Sequence, residues 1–120
     1  MRSTVKSPYA ADMATLPKGC ISVIFVAQRT CEDDAGYAEA AAAMDALAAQ
    51  QPGYLGIDSV RGADRLGITV SYWQSDAAAS AWRDHPDHAA IRQIGRDRWY
   101  SSYSLHVAKL TRSYDWAKPE

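Results

Sequence analysis

The proton-transfer chemistry open to this sequence near neutral pH centres on its three histidines, His85, His88 and His106. An imidazole titrates near neutrality, so His88, six residues beyond Trp82, is placed to take a phenolic or enolic proton from a planar molecule held against that indole. The same ring also fits a helix histidine bonded to a backbone carbonyl. His85 and His88 spell H-x-x-H beside Asp84 and Asp87, which has the outline of a metal pair. A stable metal site needs a third and usually a fourth donor of fixed geometry, and Pro86 between the two rings suits a helix cap better, so no metal site is expected. His106 stands near Ser102 and Ser104 on an extended segment and faces either a pocket or a second copy of the chain. Trp73, Trp82, Trp99, Tyr72, Tyr100 and Tyr103 supply either an aromatic wall for a planar ring or plain core. Arg92, Arg96 and Arg98 have the donors to hold a carboxylate or phenolate, unless they stay solvated or pair with neighbours such as Asp97.

These residues sit in a chain of 120 residues and 13.1 kDa, the size of one domain. Leu, Ile, Val and Phe together supply only 19 residues, but seven Tyr and four Trp add bulky apolar area, so the core is small and aromatic. A domain this short leaves much surface uncovered, which favours burying part of it against a second copy. Thirteen basic residues against fourteen acidic ones give a formal charge of -1, without the basic excess that a nucleic-acid partner demands. No apolar run approaches a membrane span, and residues 1–18 lack the apolar stretch of a secretory signal. A soluble cytoplasmic protein is expected. Cys20 and Cys31 bracket one extended segment and would lie roughly 36 Å apart at ~3.3 Å per residue, too far for a disulfide, which suits a reducing compartment.

Residues 1–19 mix Pro8, Pro17, Ser and Thr without period and read as an irregular N-terminal arm. The segment from Cys20 to Arg29 is rich in β-branched residues and apolar on both faces, with Ile21, Val23 and Phe25 on one and Ile24 and Val26 on the other. A helix from Ala35 to Gln50 follows capping residues at 30–34 and carries Tyr37, Ala40, Ala41, Met44, Leu47 and Ala48 as its stripe; Gln51-Pro52-Gly53 stops it. Two strands, Tyr54 to Arg61 and Leu66 to Trp73, join through Gly62 to Arg65. In the second, Leu66, Ile68, Val70 and Tyr72 face one way and Gly67, Thr69, Ser71 and Trp73 the other. Ser75-Asp76 caps an Ala-rich helix containing Trp82, and Pro86 forces a restart that ends near Gly95 to Asp97. A last strand runs from Trp99 to Leu110.

The order strand, helix, strand, strand, helix, strand is the split β-α-β pattern of a ferredoxin-like α+β fold, with a four-stranded antiparallel sheet and both helical regions on one face. The other face is left bare, and a first strand that is apolar on both sides cannot leave it wet. Two sheets packed face to face in a homodimer would cover it, while the space between helices and sheet becomes a ligand pocket.

Gln51-Pro-Gly-Tyr-Leu-Gly56, Gly67-Ile-Thr-Val-Ser-Tyr-Trp73, Ala81-Trp-Arg83 with His88, and Gly95-Arg-Asp-Arg-Trp-Tyr100 together resemble the antibiotic biosynthesis monooxygenase family over residues 20–114, leaving residues 115–120 as a tail. The resemblance implies a dimeric α+β barrel, a cytoplasmic setting, and relatives that range from cofactor-free quinone-forming oxygenases to haem-degrading enzymes. Trp82 matches a pocket residue of that family. In its haem-degrading branch an Asn on the first strand, a Trp on the second helix and a His ten residues later serve the haem. Here Gln28 stands near the Asn position and Arg92 stands where the iron-binding His would be. Arginine stays protonated and cannot ligate iron.

The leading reading is therefore a cofactor-independent monooxygenase acting with dioxygen on a small aromatic or polyketide-type phenol. His88 is its acid/base group and Trp82 its wall, with Gln28, Tyr72, Trp73, Arg92, Trp99, Tyr103 and His106 as substrate contacts. Two alternatives stand beside it: a non-catalytic dimeric binding or stress-response module for a hydrophobic metabolite, and a haem-binding protein with altered ligation. No G-x-G-x-x-G, phosphate-loop or G-x-S-x-G pattern occurs, which removes support for nucleotide, nicotinamide and serine-hydrolase chemistry.

Overall fold

A computed structural model describes residues 15–120; the part of the expected N-terminal arm before residue 15 lies outside the described residues. The elements run β1 (Ile21–Arg29), α1 (Asp34–Ala48), β2 (Tyr54–Arg61), β3 (Leu66–Trp73), α2 (Asp76–Arg83), α3 (Pro86–Ile94) and β4 (Tyr100–Lys109). The four strands form one antiparallel sheet in the order β2-β3-β1-β4. This is the ferredoxin-like α+β arrangement expected from the element order.

The helix starts follow local chemistry. Asp33 adopts the left-handed conformation (φ 56°) and its Oδ1 accepts from Gly36 N at 3.2 Å, opening α1. Ser75 Oγ accepts from Ala78 N at 3.1 Å and opens α2. His85 caps α3 through Nδ1, which accepts from Asp87 N at 3.1 Å, with Pro86 in the first turn where its missing N–H costs nothing. That use of His85 explains the H-x-x-H spacing, and no cluster of three or more His, Cys, Asp or Glu side chains suited to a metal occurs among the described residues.

One boundary differs from expectation. Trp99 does not belong to the last strand: a five-residue π turn, Gly95–Trp99, extends α3 and β4 begins at Tyr100. Tyr100 N donates to Gly95 O, the i to i+5 bond of a π turn. Gly95 is buried, and a Cβ there would stand 2.8 Å from the Tyr100 ring. The missing side chain lets that ring fold back beneath the turn. No side-chain periodicity announces such a turn.

Strand register sorts the sheet into two faces. Val23, Phe25, Ala27 and Arg29 of β1 align with Ser71, Thr69 and Gly67 of β3 and with Val107, Leu105 and Tyr103 of β4, and this is the face the helices cover. At one end Ile21 pairs with Trp73, and these two pack with Ala48 and Ala79 into the core, with Val23, Tyr54 and Trp82 against it. The other face carries Ile24, Val26, Val60, Leu66, Ile68, Val70 and Tyr72. Val60, Leu66 and Ile68 are exposed there. The apolar row of β3 thus points away from the helices, and its Gly67-Thr69-Ser71 row points toward them.

The hairpin between β2 and β3 is tied to the start of α1. Arg65, itself left-handed (φ 69°), donates from Nη1 to Asp34 Oδ1 at 2.7 Å and from Nη2 to Oδ2 at 2.8 Å, and Arg29 Nη2 reaches Oδ1 at 3.1 Å. The bond from Arg65, then its charge and that of Arg29, hold the exposed Asp34 carboxyl at about 2 against an ordinary 3.8. A carboxyl depressed on folding stabilises the native state above its unfolded value and loses that contribution as pH falls through its folded value. Carbon-detected NMR titration is expected to place the Asp34 midpoint near 2, and a midpoint at 3.8 would mean the pair does not form in solution.

No helix among the described residues is long and apolar enough to cross a membrane. Cys20 is buried and Cys31 exposed, both unpaired.

Candidate functional site

A cavity of about 610 Å³ lies between the helices and the covered face of the sheet, within the size range of small-molecule pockets. Its floor is the Gly67-Thr69-Ser71 row with Val23, Phe25 and Ala27; its roof includes Ala40, Ala41 and Met44 of α1. Leu105 and Val107 of the edge strand β4 line it while about half exposed, which sets an opening on that side.

At the core end stands a column of rings. Trp73, fully buried, donates from Nε1 to Ser71 Oγ at 3.0 Å and stacks with Trp82 at 6.2 Å between centroids. Trp82 stacks in turn on His88 at 4.4 Å and 9°. His88 Nδ1 lies 3.1 Å from the carbonyl oxygen of its own stacking partner, Trp82. A carbonyl can only accept, so Nδ1 carries the proton and the lone pair of the neutral ring resides on Nε2. Burial pushes the imidazole below its ordinary 6.5; the Trp82 carbonyl opposes this, and Arg92 and His85 add to it. His88 is therefore neutral at pH 7, with a basic nitrogen in a residue that lines the cavity.

The other end is polar. Tyr37 lies between two guanidinium groups, with Arg29 Cζ 3.9 Å and Arg61 Cζ 4.7 Å from its ring centroid. Trp99 and Tyr100 meet its ring edge-on at 5.7 and 5.9 Å. Arg29 is buried: Nε donates to Trp99 O at 3.1 Å, and Nη2 to Glu32 O at 2.9 Å and to Asp34. Arg61 donates from Nη2 to Tyr37 Oη. Burial, then the neighbouring Tyr37, drive the Tyr100 hydroxyl well above the usual phenol range, although Arg61 and Arg29 pull it back, so it remains a donor.

Among the residues expected to contact substrate, Trp82, His88, Arg92, Trp99 and Tyr103 line this cavity. Arg92 donates from Nη1 to Arg83 O at 3.1 Å, and Arg96 from Nε to Tyr103 Oη at 2.8 Å. Arg98 is instead held outside by Glu32 at 2.8 Å and Asp33 at 3.3 Å.

Four of the expected substrate contacts lie outside the cavity lining. Gln28, Tyr72 and His106 do not line the cavity, because each has the strand parity of the uncovered face: Gln28 Nε2 donates to Asp64 O at 2.8 Å, Tyr72 Oη donates to Asp58 at 3.3 Å, and His106 pairs with Ile24. Burial and the Asp58 charge push the Tyr72 hydroxyl up to about 12. Trp73 has the right parity but stands behind Trp82 as core. Sequence reasoning singled out neither Arg29 nor Arg61, and took Tyr37 as part of the α1 stripe. The available signal was parity: Arg61 shares the face of Ile57, and Gly67 sits opposite it.

A ferredoxin-like sheet roofed by helices, with an aromatic cavity lined by one neutral histidine and open on the β4 side, defines a small α+β protein built around a ligand-sized interior. The sequence places it more closely: residues 18–94 match the family model of antibiotic biosynthesis monooxygenase, and the chain belongs to that family. The protein YqjZ of Bacillus subtilis is 52% identical over 91 residues, covering 76% of this chain and 79% of its own length. The fold is shared with SnoaB, a cofactor-independent oxygenase from Streptomyces nogalater, at a TM-score of 0.68 and 14% identity over 78% of this chain and 95% of that one. Rv0793 from Mycobacterium tuberculosis aligns with a TM-score of 0.66 at 15% identity, covering 82% of this chain and 99% of its own.

Proposed function

We propose that the chain is a cofactor-independent oxygenase that oxidises a small aromatic or polyketide-type phenol with dioxygen. The observation that carries this reading is the contact of His88 Nδ1 with the Trp82 carbonyl, which leaves Nε2 as the unprotonated nitrogen of a ring that stacks on a flat indole and belongs to the lining of a ligand-sized cavity. A phenol or anthrone stacked in this cavity gives its proton to Nε2. The resulting electron-rich anion reduces dioxygen, and for an anthrone the balance is a CH₂ carbon converted to a carbonyl. One oxygen atom enters that carbonyl and the other leaves as water, so the four electrons lost by carbon are those dioxygen gains. The apolar cavity keeps water from competing for the anion, and its arginines and hydroxyls offset the developing charge.

Oxygen uptake with a panel of hydroquinones and anthrones tests this reading, comparing the wild type with His88→Ala and Trp82→Ala. Turnover that falls in both variants supports it; no turnover on any compound, or unchanged turnover in both, removes it.

The working unit is a homodimer in this reading, because the row Val60, Leu66 and Ile68 leaves an apolar sheet face exposed on a single chain. Sedimentation at micromolar concentration is expected to give twice the chain mass, and a stable single chain contradicts it. Two unpaired thiols accord with a reducing cytoplasm as the place of action.

A further inference from the structure

Charged side chains line both ends of the cavity. Its acidic lining residues, Asp45 and Asp76, belong to the Trp73 end, where Arg83 and Arg92 also line it: Asp45 acts on Tyr54, which packs on Trp73, and Asp76 opens α2, the helix that carries Arg83. At the opposite end Arg61 pairs across the sheet with Gly67, which pairs with Ala27, six residues along β1 from the Ile21–Trp73 pair. Among the described residues Arg61 forms no ion pair, and its Nε is buried without a hydrogen-bond partner. An unpaired guanidinium in a half-enclosed site is costly unless a ligand satisfies it.

The surroundings are built for such a ligand. Gly67 clears the path of the Arg61 side chain, since a Cβ there would stand 3.3 Å from Nε and 3.5 Å from Nη2. Tyr37 Oη accepts from Arg61. Tyr100 remains protonated and its hydroxyl is hydrogen-bonded to that of Tyr37, so the three groups share one corner. Arg29 gives its Nε and Nη2 to Trp99, Glu32 and Asp34, and its guanidinium lies over the Tyr37 ring.

We propose that Arg61, with the hydroxyls of Tyr37 and Tyr100, forms an anion-receiving end of the cavity that selects planar aromatic substrates bearing a carboxylate. One guanidinium beside a hydrogen-bonded pair of phenols matches a single negative charge, and its fork of donors matches the bidentate geometry of a carboxylate. The inference uses the same cavity as the proposed oxygenase and names its substrate class, but it concerns binding and holds whether or not oxygen is consumed.

Isothermal titration calorimetry at pH 7 with 2-naphthoate and its neutral analogue 2-naphthamide tests it. The wild type is expected to bind naphthoate at least about tenfold more tightly than the amide, as charge-assisted hydrogen bonds imply. Arg61→Gln is expected to reduce that preference to within about twofold, and Arg61→Lys to keep part of it. Gly67→Ala, which crowds the guanidinium without altering charge, weakens naphthoate alone and decides the matter if Arg61→Gln does not fold. Absence of naphthoate binding, equal affinity for both compounds in the wild type, or a preference that survives Arg61→Gln would overturn the proposal, as would a preference untouched by Gly67→Ala where that variant decides. His88→Ala separates the two readings: it loses oxygen uptake yet keeps the naphthoate preference.

Discussion

Replacing His88 by alanine is expected to lower oxygen uptake with any accepted phenol or anthrone at least about 100-fold, the usual size of a general-base contribution. Removal of the ring deletes Nε2 and also opens one side of the Trp82 stack. His88→Gln keeps a polar side chain of similar reach but no titrating nitrogen, so it is expected to fall by a similar factor. The pH profile of kcat/KM in the wild type carries a second signature. Burial lowers the folded pKa of His88 below 6.5, so the base is already present at neutral pH and the acid limb must lie below 6.5. The sign for stability is the same: the unfolded chain binds this proton more readily, so the contribution is lost as pH falls below 6.5 and levels off under the folded value. An acid limb above 6.5 that is absent from His88→Gln would show that the ring is not desolvated as described.

Trp73→Ala is expected to cost about 3–5 kcal/mol of folding stability, the range for deleting a large buried aromatic side chain. Trp73 is 0% exposed and sits where β1, β3, α1 and α2 converge, against Ile21, Ala48 and Ala79, with Tyr54 edge-on at 5.6 Å. A domain of this size has only about 5–15 kcal/mol in total, so the variant stands close to unfolding at room temperature. Equilibrium urea denaturation at pH 7 measures the loss, and a change below about 1 kcal/mol would contradict the core position assigned to this ring. Trp73→Phe keeps most of the apolar volume and is expected to lose less, yet it also removes the Nε1 bond to Ser71 and one partner of the Trp82 stack.

The element order was legible because the punctuation is local. Asp33, Ser75, Pro86 and the Gln51-Pro52-Gly53 stop each act within one turn, and the two apolar faces of β1 announce themselves by alternation. The site was legible only where it coincided with helix residues, as with Trp82, His88 and Arg92. Strand residues were harder, because which parity faces the helices is a tertiary choice. On β3 the chain turns its apolar row outward and its Gly-Thr-Ser row inward, the reverse of a simple inside-apolar rule, and Tyr72 follows the apolar row away from the cavity. Gln28 and His106 share that outward parity. Arg61 escaped notice because a lone arginine at a strand end looks like a solvated charge until Gly67 opposite and Tyr37 above are brought to it by the fold. Trp99 was misplaced because the π turn depends on the Tyr100 ring fitting under Gly95, a contact no periodicity encodes.

The central claim is that His88 removes the proton of a bound substrate before oxygen acts. Anaerobic incubation of an anthrone with the protein in deuterated buffer isolates that step, since each deprotonation lets the CH₂ carbon exchange hydrogen for deuterium. At neutral pH the wild type is expected to speed that exchange well above the buffer rate, and His88→Ala to leave it at the buffer rate. Equal exchange in both proteins, or none above buffer in the wild type, would contradict the account.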